Sequence, residues 1–266
     1  MPDFYKYFEA NRNNWNQRTL VHRDSAFYGL QEFKTGKTSL NKIELEELGD
    51  VKGKKLLHLQ CHFGMDTMSW ARQGAKCIGV DLSDESIGLA RELNNELKLD
   101  AEFIRCNVYD IKNHLNEKFD FVFTSYGVIG WLPDLQKWAE LISYYLKPGG
   151  IFYMVEFHPV VWIFDDDFTH IKYHYDNKEM IMIENEGTYT DRNADIKGKE
   201  YSWNHSISEM QNTLIQAGLQ IQFFNEYMYS PYPCFRNMTE RENDQWQIKG
   251  MEGKIPMLYS IKAVKQ

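Results

Sequence analysis

Between Lys54 and Glu156 the chain alternates between two apolar periods: short runs of adjacent apolar positions, and stretches where they recur every three or four residues. The short runs are Lys55-Leu56-Leu57-His58-Leu59, Lys76-Cys77-Ile78-Gly79-Val80, Ala101 to Cys106, Phe119 to Thr124 and Gly150 to Glu156, and they read as five strands. The longer-period stretches predict helices over about 66–73, stopped by Gly74; from Ser83 or Asp84 to about Leu97; and over about 134–146, closed by Lys147-Pro148-Gly149-Gly150. In the second of these Ile87, Ala90, Leu93, Asn94 and Leu97 share an inner face. Upstream, Ser39 is placed to cap a helix over about 40–48 that ends at Gly49, whereas residues 1–38 are aromatic and polar without a clear period. Strands alternating with helices imply parallel βαβ units with right-handed crossovers.

The rhythm breaks over about 158–204, a segment with Trp162, the run Asp165-Asp166-Asp167 and an expected strand pair around Met180–Thr190. It resumes with Ser206 as a cap, a helix through Leu214 and Ala217 stopped at Gly218, and closing strands at Leu219–Phe224 and Pro256–Val264. That makes seven strands, with 158–204 inserted after the fifth. A connection of that length reads as a lid or substrate wall.

Composition narrows the function. With 43% hydrophobic residues in 266, one α/β domain with an insertion accounts for the length. No apolar run approaches the roughly 20 residues of a membrane span. The start, Met1-Pro2-Asp3-Phe4-Tyr5-Lys6, has neither the basic nor the apolar part of an export signal. Cys61, Cys77, Cys106 and Cys234 form no CxxC pair, and a reduced cytoplasmic protein is the expectation. The net charge of -8, with no Lys/Arg run longer than Lys54-Lys55, argues against a nucleic-acid substrate. Nothing in the chain fixes its oligomeric state.

Two features point to a nucleoside ligand. The turn Leu59-Gln60-Cys61-His62-Phe63-Gly64-Met65-Asp66-Thr67 follows the first strand, at the edge where open α/β sheets bind ligands. Asp81 ends the second strand, where a carboxylate can accept from both hydroxyls of a ribose; its bland alternative is an N-cap for the next helix. A nicotinamide dinucleotide brings a pyrophosphate and asks for G-x-G-x-x-G, but this turn has one glycine, Gly64. S-adenosylmethionine has no phosphate, and backbone N–H groups at the following helix N-terminus can hold its carboxylate. Asn107, ending the third strand, is placed to meet an adenine edge, with Leu82 and Val108 on its faces.

In the order LLHLQCHFG, IGVDLS, FIRCNV, FDFVFTSYGVIGWLPDL and LKPGG, the chain resembles the class I S-adenosylmethionine-dependent methyltransferases, and HLQCHFGMDT-SWA-GA is similar to a bacterial subset acting on small molecules. The resemblance implies a Rossmann-like, mostly parallel seven-stranded sheet with helices on both faces and the last strand antiparallel. It divides the single domain into a cap segment (1–50), a cofactor-binding half (51–157), the insertion (158–204) and a closing unit (205–266). It implies methyl transfer from S-adenosylmethionine to a small molecule, the alternative being a non-catalytic nucleoside-binding module on the same fold. The cofactor residues it implies are Gln60, Cys61, His62, Gly64, Asp66, Thr67, Asp81, Leu82, Ser83, Asn107, Val108, Ser125 and Tyr126. The chain departs from the family's D/E-x-G-x-G-x-G turn, with His58, Gln60, His62 and Gly64 at those positions. The aromatic residues Trp15, Tyr28, Trp131 and Trp162 are candidates for the substrate wall. Tyr126, Glu156 and His158 are the candidate catalytic groups, the last two as a Glu-x-His base pair; no second ligand pair supports a metal.

Overall fold

The first five strands of the central sheet pair in parallel, as the βαβ pattern calls for. β1 (Lys55–Leu59), β2 (Lys76–Asp81), β3 (Ala101–Arg105), β4 (Phe119–Ser125), β5 (Leu146–Phe157), β8 (Leu219–Tyr227) and β11 (Leu258–Lys265) stand in the order β3-β2-β1-β4-β5-β11-β8. β11 is antiparallel to both neighbours. Two hairpins, β6 (Ile181–Glu186) with β7 (Lys197–Ser202) and β9 (Met238–Glu240) with β10 (Trp246–Ile248), lie outside that sheet. The helices are α1 (Tyr5–Asp24), α2 (Leu30–Lys34), α3 (Lys42–Leu48), α4 (Met65–Arg72), α5 (Asp84–Leu97), α6 (Leu135–Tyr145) and α7 (Ile207–Gln216). This computed structural model describes residues 4–242 and 244–266; residues 1–3, the beginning of the N-terminal stretch read above, and residue 243 lie outside it.

Strands buried on both faces explain the unbroken apolar runs. Leu57, Val122, Phe152 and Met154 pack into one layer with Trp138 and Ile142 of α6 and Leu214 of α7. Their chain neighbours Leu56, Phe121, Phe123, Tyr153 and Val155 face the other way, with Trp70 of α4 and Ile43 and Leu48 of α3. A third cluster joins Leu30 and Phe33 of α2 to Met68 of α4, Ile87 of α5 and Phe103 of β3.

Several elements differ from the sequence expectation. Residues 1–38, read without period, contain the 20-residue α1, whose buried residues are Asn11, Asn14, Arg18, Thr19 and His22. The period is helical but its inward face is polar, so an apolar pattern cannot reveal it. α3 starts at Lys42 under Asn41, whose backbone N–H donates to Glu44 Oε1 at 2.9 Å, while Ser39 donates to Asp66. β7 lies beyond the expected Met180–Thr190 pair, separated from β6 by a ten-residue loop held by turns such as Thr188 N–H to Asp191 O. β9 and β10 fall in a stretch for which no element was expected.

Candidate functional site

Past the carboxyl ends of β1 to β5 the loops enclose a cavity of about 1270 Å³. Common ligand sites measure roughly 300–1,000 Å³, so this one has room for two small molecules together. Its floor comes from the sheet, its roof from α1 and the β6–β7 hairpin, and one wall from the Tyr229–Phe235 stretch after β8.

The turn after β1 has a backbone made for glycine while carrying only one. Gln60, His62 and Gly64 all have positive φ, at 57°, 50° and 76°. For a residue with a Cβ this region costs roughly 1–2 kcal/mol. Side-chain and backbone bonds hold it: Gln60 Nε2 donates to Val128 O at 2.8 Å, and the His62 N–H donates to Asp81 Oδ2 at 2.8 Å. At Gly64 no side chain fits, because a Cβ would sit 2.3 Å from the Phe103 ring. The turn thus has a glycine-type backbone at all three positions and is tied down by Gln60 and His62.

Asp81 lies at the bottom of the cavity. Oδ2 accepts from His62 N–H, and Oδ1 from Ser83 N–H at 2.9 Å. Leu82 N–H bears on the same carboxylate, and with about four acceptor sites it retains room for a ligand hydroxyl. Burial raises its pKa, opposed by these backbone bonds. Asp66 is half-buried, accepting from Ser39 Oγ at 2.6 Å and Ser125 Oγ at 3.1 Å, and desolvation lifts its pKa as well.

After β4, Tyr126 and Gly127 turn with φ of 37° and 76°. Glu156 fixes this turn: its carboxylate accepts from the N–H groups of Gly127, Val128 (2.8 Å), Ile129 (3.2 Å) and Phe157 (2.6 Å). The Tyr126 hydroxyl donates to Glu44 Oε2 at 2.9 Å and accepts from Asn41 Nδ2 at 3.1 Å. Burial pushes Glu44 up to about 8.

Of the expected cofactor residues, Gln60, Cys61, His62, Gly64, Asp66, Asp81, Leu82, Val108, Ser125 and Tyr126 line the cavity. Thr67, Ser83 and Asn107 lie outside the lining. Thr67 Oγ1 meets His58 Nδ1 at 2.8 Å; Ser83 and Asn107 cap the segments that follow them, accepting from Ser86 N–H and Tyr109 N–H at 3.0 Å each. Trp15, Tyr28, Trp131 and Trp162 all reach the cavity. Among the candidate catalytic groups Tyr126 and Glu156 line it, whereas His158 accepts from Val160 N–H and meets Glu226 Oε1 at 3.0 Å. Glu-x-His is therefore two separate structural contacts here.

The sequence reading missed Arg18, Tyr189, Glu200, Tyr232 and Phe235, all lining residues. Of these only Arg18 left a signal, as one member of the polar helical face of α1. That helix docks through hydrogen bonds. Asn11 takes both backbone groups of Tyr201, donating Nδ2 to its carbonyl at 2.8 Å and accepting its N–H at 2.9 Å. Thr19 Oγ1 meets Ser86 Oγ at 2.6 Å, and His22 Nδ1 meets His62 Nε2 at 2.9 Å. Burial drives His22 down to about 3 and His62 well below its ordinary value, so both rings are neutral near pH 7. Among the described residues no group of three or more His, Cys, Asp or Glu is placed to hold a metal, and no helix is long and apolar enough to cross a membrane.

Comparison with known proteins agrees with this geometry. Residues 57–154 match the family model described as a methyltransferase domain. An uncharacterized methyltransferase of Synechocystis is 33% identical over 131 residues, 48% of this chain and 59% of that protein. The human mitochondrial ubiquinone biosynthesis O-methyltransferase is 23% identical over 76% of this chain and 51% of its own length. The chain thus spans between half and three-fifths of these two relatives. A solved S-adenosylmethionine-dependent methyltransferase of Mesorhizobium loti superposes with a TM-score of 0.57 at 17% identity, covering 83% of this chain and 94% of that one. The matched segment carries β1 to β5, and with the sheet order it shows the Rossmann-like fold of the S-adenosylmethionine-dependent methyltransferases that the motifs imply.

Proposed function

We propose that the chain binds S-adenosylmethionine along the floor of the cavity and transfers its methyl group to a small molecule held under the roof. Asp81 carries the reading: a half-buried carboxylate lining the cavity at the end of β2, positioned by backbone N–H groups and with acceptor capacity left for a ribose hydroxyl. The donor set fits the cofactor in two further places. Gln60 Oε1 is buried without a partner, available to the cofactor's ammonium in place of the family's acid, whose position His58 takes here. Leu82, Cys106 and Val108 provide apolar faces for a purine.

When bound, the cofactor supplies a methyl group activated for in-line displacement. The chain's own task is to exclude water and align the acceptor, which is what a roofed cavity does. Glu156, occupied by four N–H groups, shapes the loop against which the acceptor lies. Tyr126 is the group of the three candidates suited to hold a proton, through the path from its hydroxyl to Glu44. The acidic chain, without a basic stripe, suits a small acceptor rather than nucleic acid, and its unpaired cysteines suit a reducing cytoplasm.

Calorimetric titration with S-adenosylmethionine or S-adenosylhomocysteine is expected to give micromolar binding, roughly -8 kcal/mol, with no comparable response to NAD. Asp81→Ala should weaken that binding by about 1.5–3 kcal/mol. Because the same change frees two N–H groups, melting without ligand is measured in parallel. Unchanged affinity in a folded variant would remove Asp81 from the site. Release of S-adenosylhomocysteine in a metabolite screen separates an enzyme from a binding module.

A further inference from the structure

The roof contains a charge that its surroundings leave incompletely paired. Arg18 is 7% exposed and is the one buried Lys or Arg among the described residues lining the cavity; Lys37, Lys42, Arg192 and Arg236 are at its open rim. A guanidinium has five N–H donors in a planar fork. The described structure gives this one a single hydrogen bond, from Nη2 to Glu200 Oε2 at 2.5 Å, and Nε is buried with no partner. Glu200 is shared besides: Asn14 Nδ2 at 3.4 Å and Asn185 Nδ2 at 3.1 Å reach the same oxygen. An Arg–carboxylate pair reaches full strength when two parallel N–H groups meet two oxygens, and this contact uses one of each. Burying a guanidinium on a one-point contact is costly unless something else completes it.

The surroundings say what completes it. Arg18 Cζ is 5.2 Å from the Trp15 ring centroid and 5.9 Å from that of Trp131, so indoles border the guanidinium. Tyr28 and Tyr189 line the same cavity with their hydroxyls bonded to each other. A cation bordered by flat rings, with donors idle, suits a planar oxyanion on a ring or chain.

We propose that Arg18 is a carboxylate clamp, taking the carboxylate of a ligand in the cavity on its free donors while Glu200 holds the guanidinium from the other side. The inference rests on the proposed function for the presence of a ligand there. Two sources share this chemistry: a carboxylate on the methyl acceptor, or the amino-acid carboxylate of the cofactor. In the second case α1, and not the N-terminus of α4, would hold that end of the cofactor.

The test compares wild type, Arg18→Met, Arg18→Lys and Glu200→Gln in calorimetric titrations. The probes are S-adenosylhomocysteine, 5'-methylthioadenosine (which lacks the amino-acid part) and, with S-adenosylhomocysteine saturating, benzoate against benzamide. If the cofactor is the source, Arg18→Met weakens S-adenosylhomocysteine about 10- to 100-fold, the usual range for a hydrogen bond to a charged group, and leaves methylthioadenosine unchanged. If the acceptor is the source, both nucleosides bind as before, and wild type prefers benzoate over benzamide while Arg18→Met does not. Arg18→Lys falls between, keeping the charge and losing the fork. Glu200→Gln is the control for a merely structural pair. It breaks the same ion pair but leaves Arg18 its free donors, so carboxylate binding is retained or tightened. Equal losses in Glu200→Gln and Arg18→Met would overturn the clamp, as would Arg18→Met binding every probe like wild type. Failure of wild type to bind either nucleoside would instead overturn the proposed function.

Discussion

In the sheet, successive residues of β4 enter opposite apolar layers; in the roof, α1 turns Asn11, Asn14, Arg18, Thr19 and His22 inward. Both regions are buried, but they are held differently. Removing apolar surface from water stabilises the sheet without regard to direction, at about 25 cal/mol per Å². The roof combines ring contacts, such as Tyr7 with Tyr201 and Trp15 with Trp131, with many hydrogen bonds, each of small net worth because water offers the same bonds to the open form. The sheet is therefore expected to unfold as a unit, and the roof to open from it at lower cost. Such an opening would let a charged cofactor into the proposed site.

The largest effect should come from the sheet side. Trp138→Ala removes a fully buried indole between α6 and β5, and global stability should fall by about 3–5 kcal/mol in denaturant titration. A loss below 1 kcal/mol would show that this layer is not the close-packed core described here. Asn11→Ala should act locally. It strips the partners from both backbone groups of Tyr201, loosening the roof by about 1–2 kcal/mol. Amide exchange over residues 5–24 should quicken while β1 and β4 keep their protection. Equal quickening in both would abolish the distinction between the two regions.

Acid should have a smaller but selective effect. His22, held at about 3 against 6.5 for an unfolded histidine, binds fewer protons folded than unfolded between those values. Stability from this group is therefore intact above pH 6.5 and declines as pH falls toward 3. His62, its partner across the interface, moves in the same direction. Glu44 has the opposite sign: raised to about 8, it loses stability as pH rises from 4.5 to 8, but it sits at α3 beside Tyr126. Going from pH 7.5 to pH 5 should thus open α1 preferentially, seen as faster exchange there after correction for intrinsic rates. His22→Gln, which cannot take up a proton, should flatten that response.

The same contrast explains which parts of the molecule were legible in its sequence. Leu56 and Leu57, or Phe121 and Val122, announce a doubly buried strand because burial selects apolar residues on both faces. Asp81 and the glycine-poor turn could be located because a fixed strand end precedes each. The roof was illegible for a physical reason: its contacts are directional, and Asn11 or Arg18 looks like any solvated residue until its partner, 190 or 182 positions away, is known. Tyr189, Tyr232 and Phe235 come from loops whose paths no local pattern specifies. Glu156 was placed correctly at a strand end, but one residue's chemistry could not show that four N–H groups would occupy it.

The Asn11 amide has a consequence for the molecule's behaviour in a crowded solution. β6 and β7 make a sheet of only two strands, and Tyr201 would otherwise present an N–H and a carbonyl from β7 to any passing chain. Bonded to both, the side chain of Asn11 acts as a one-residue edge strand. An opening of the roof would uncover that edge, and exposed edges invite pairing between molecules. Ligand that keeps the roof closed should then also keep the protein dispersed, so the unliganded protein is the form expected to self-associate first as concentration rises.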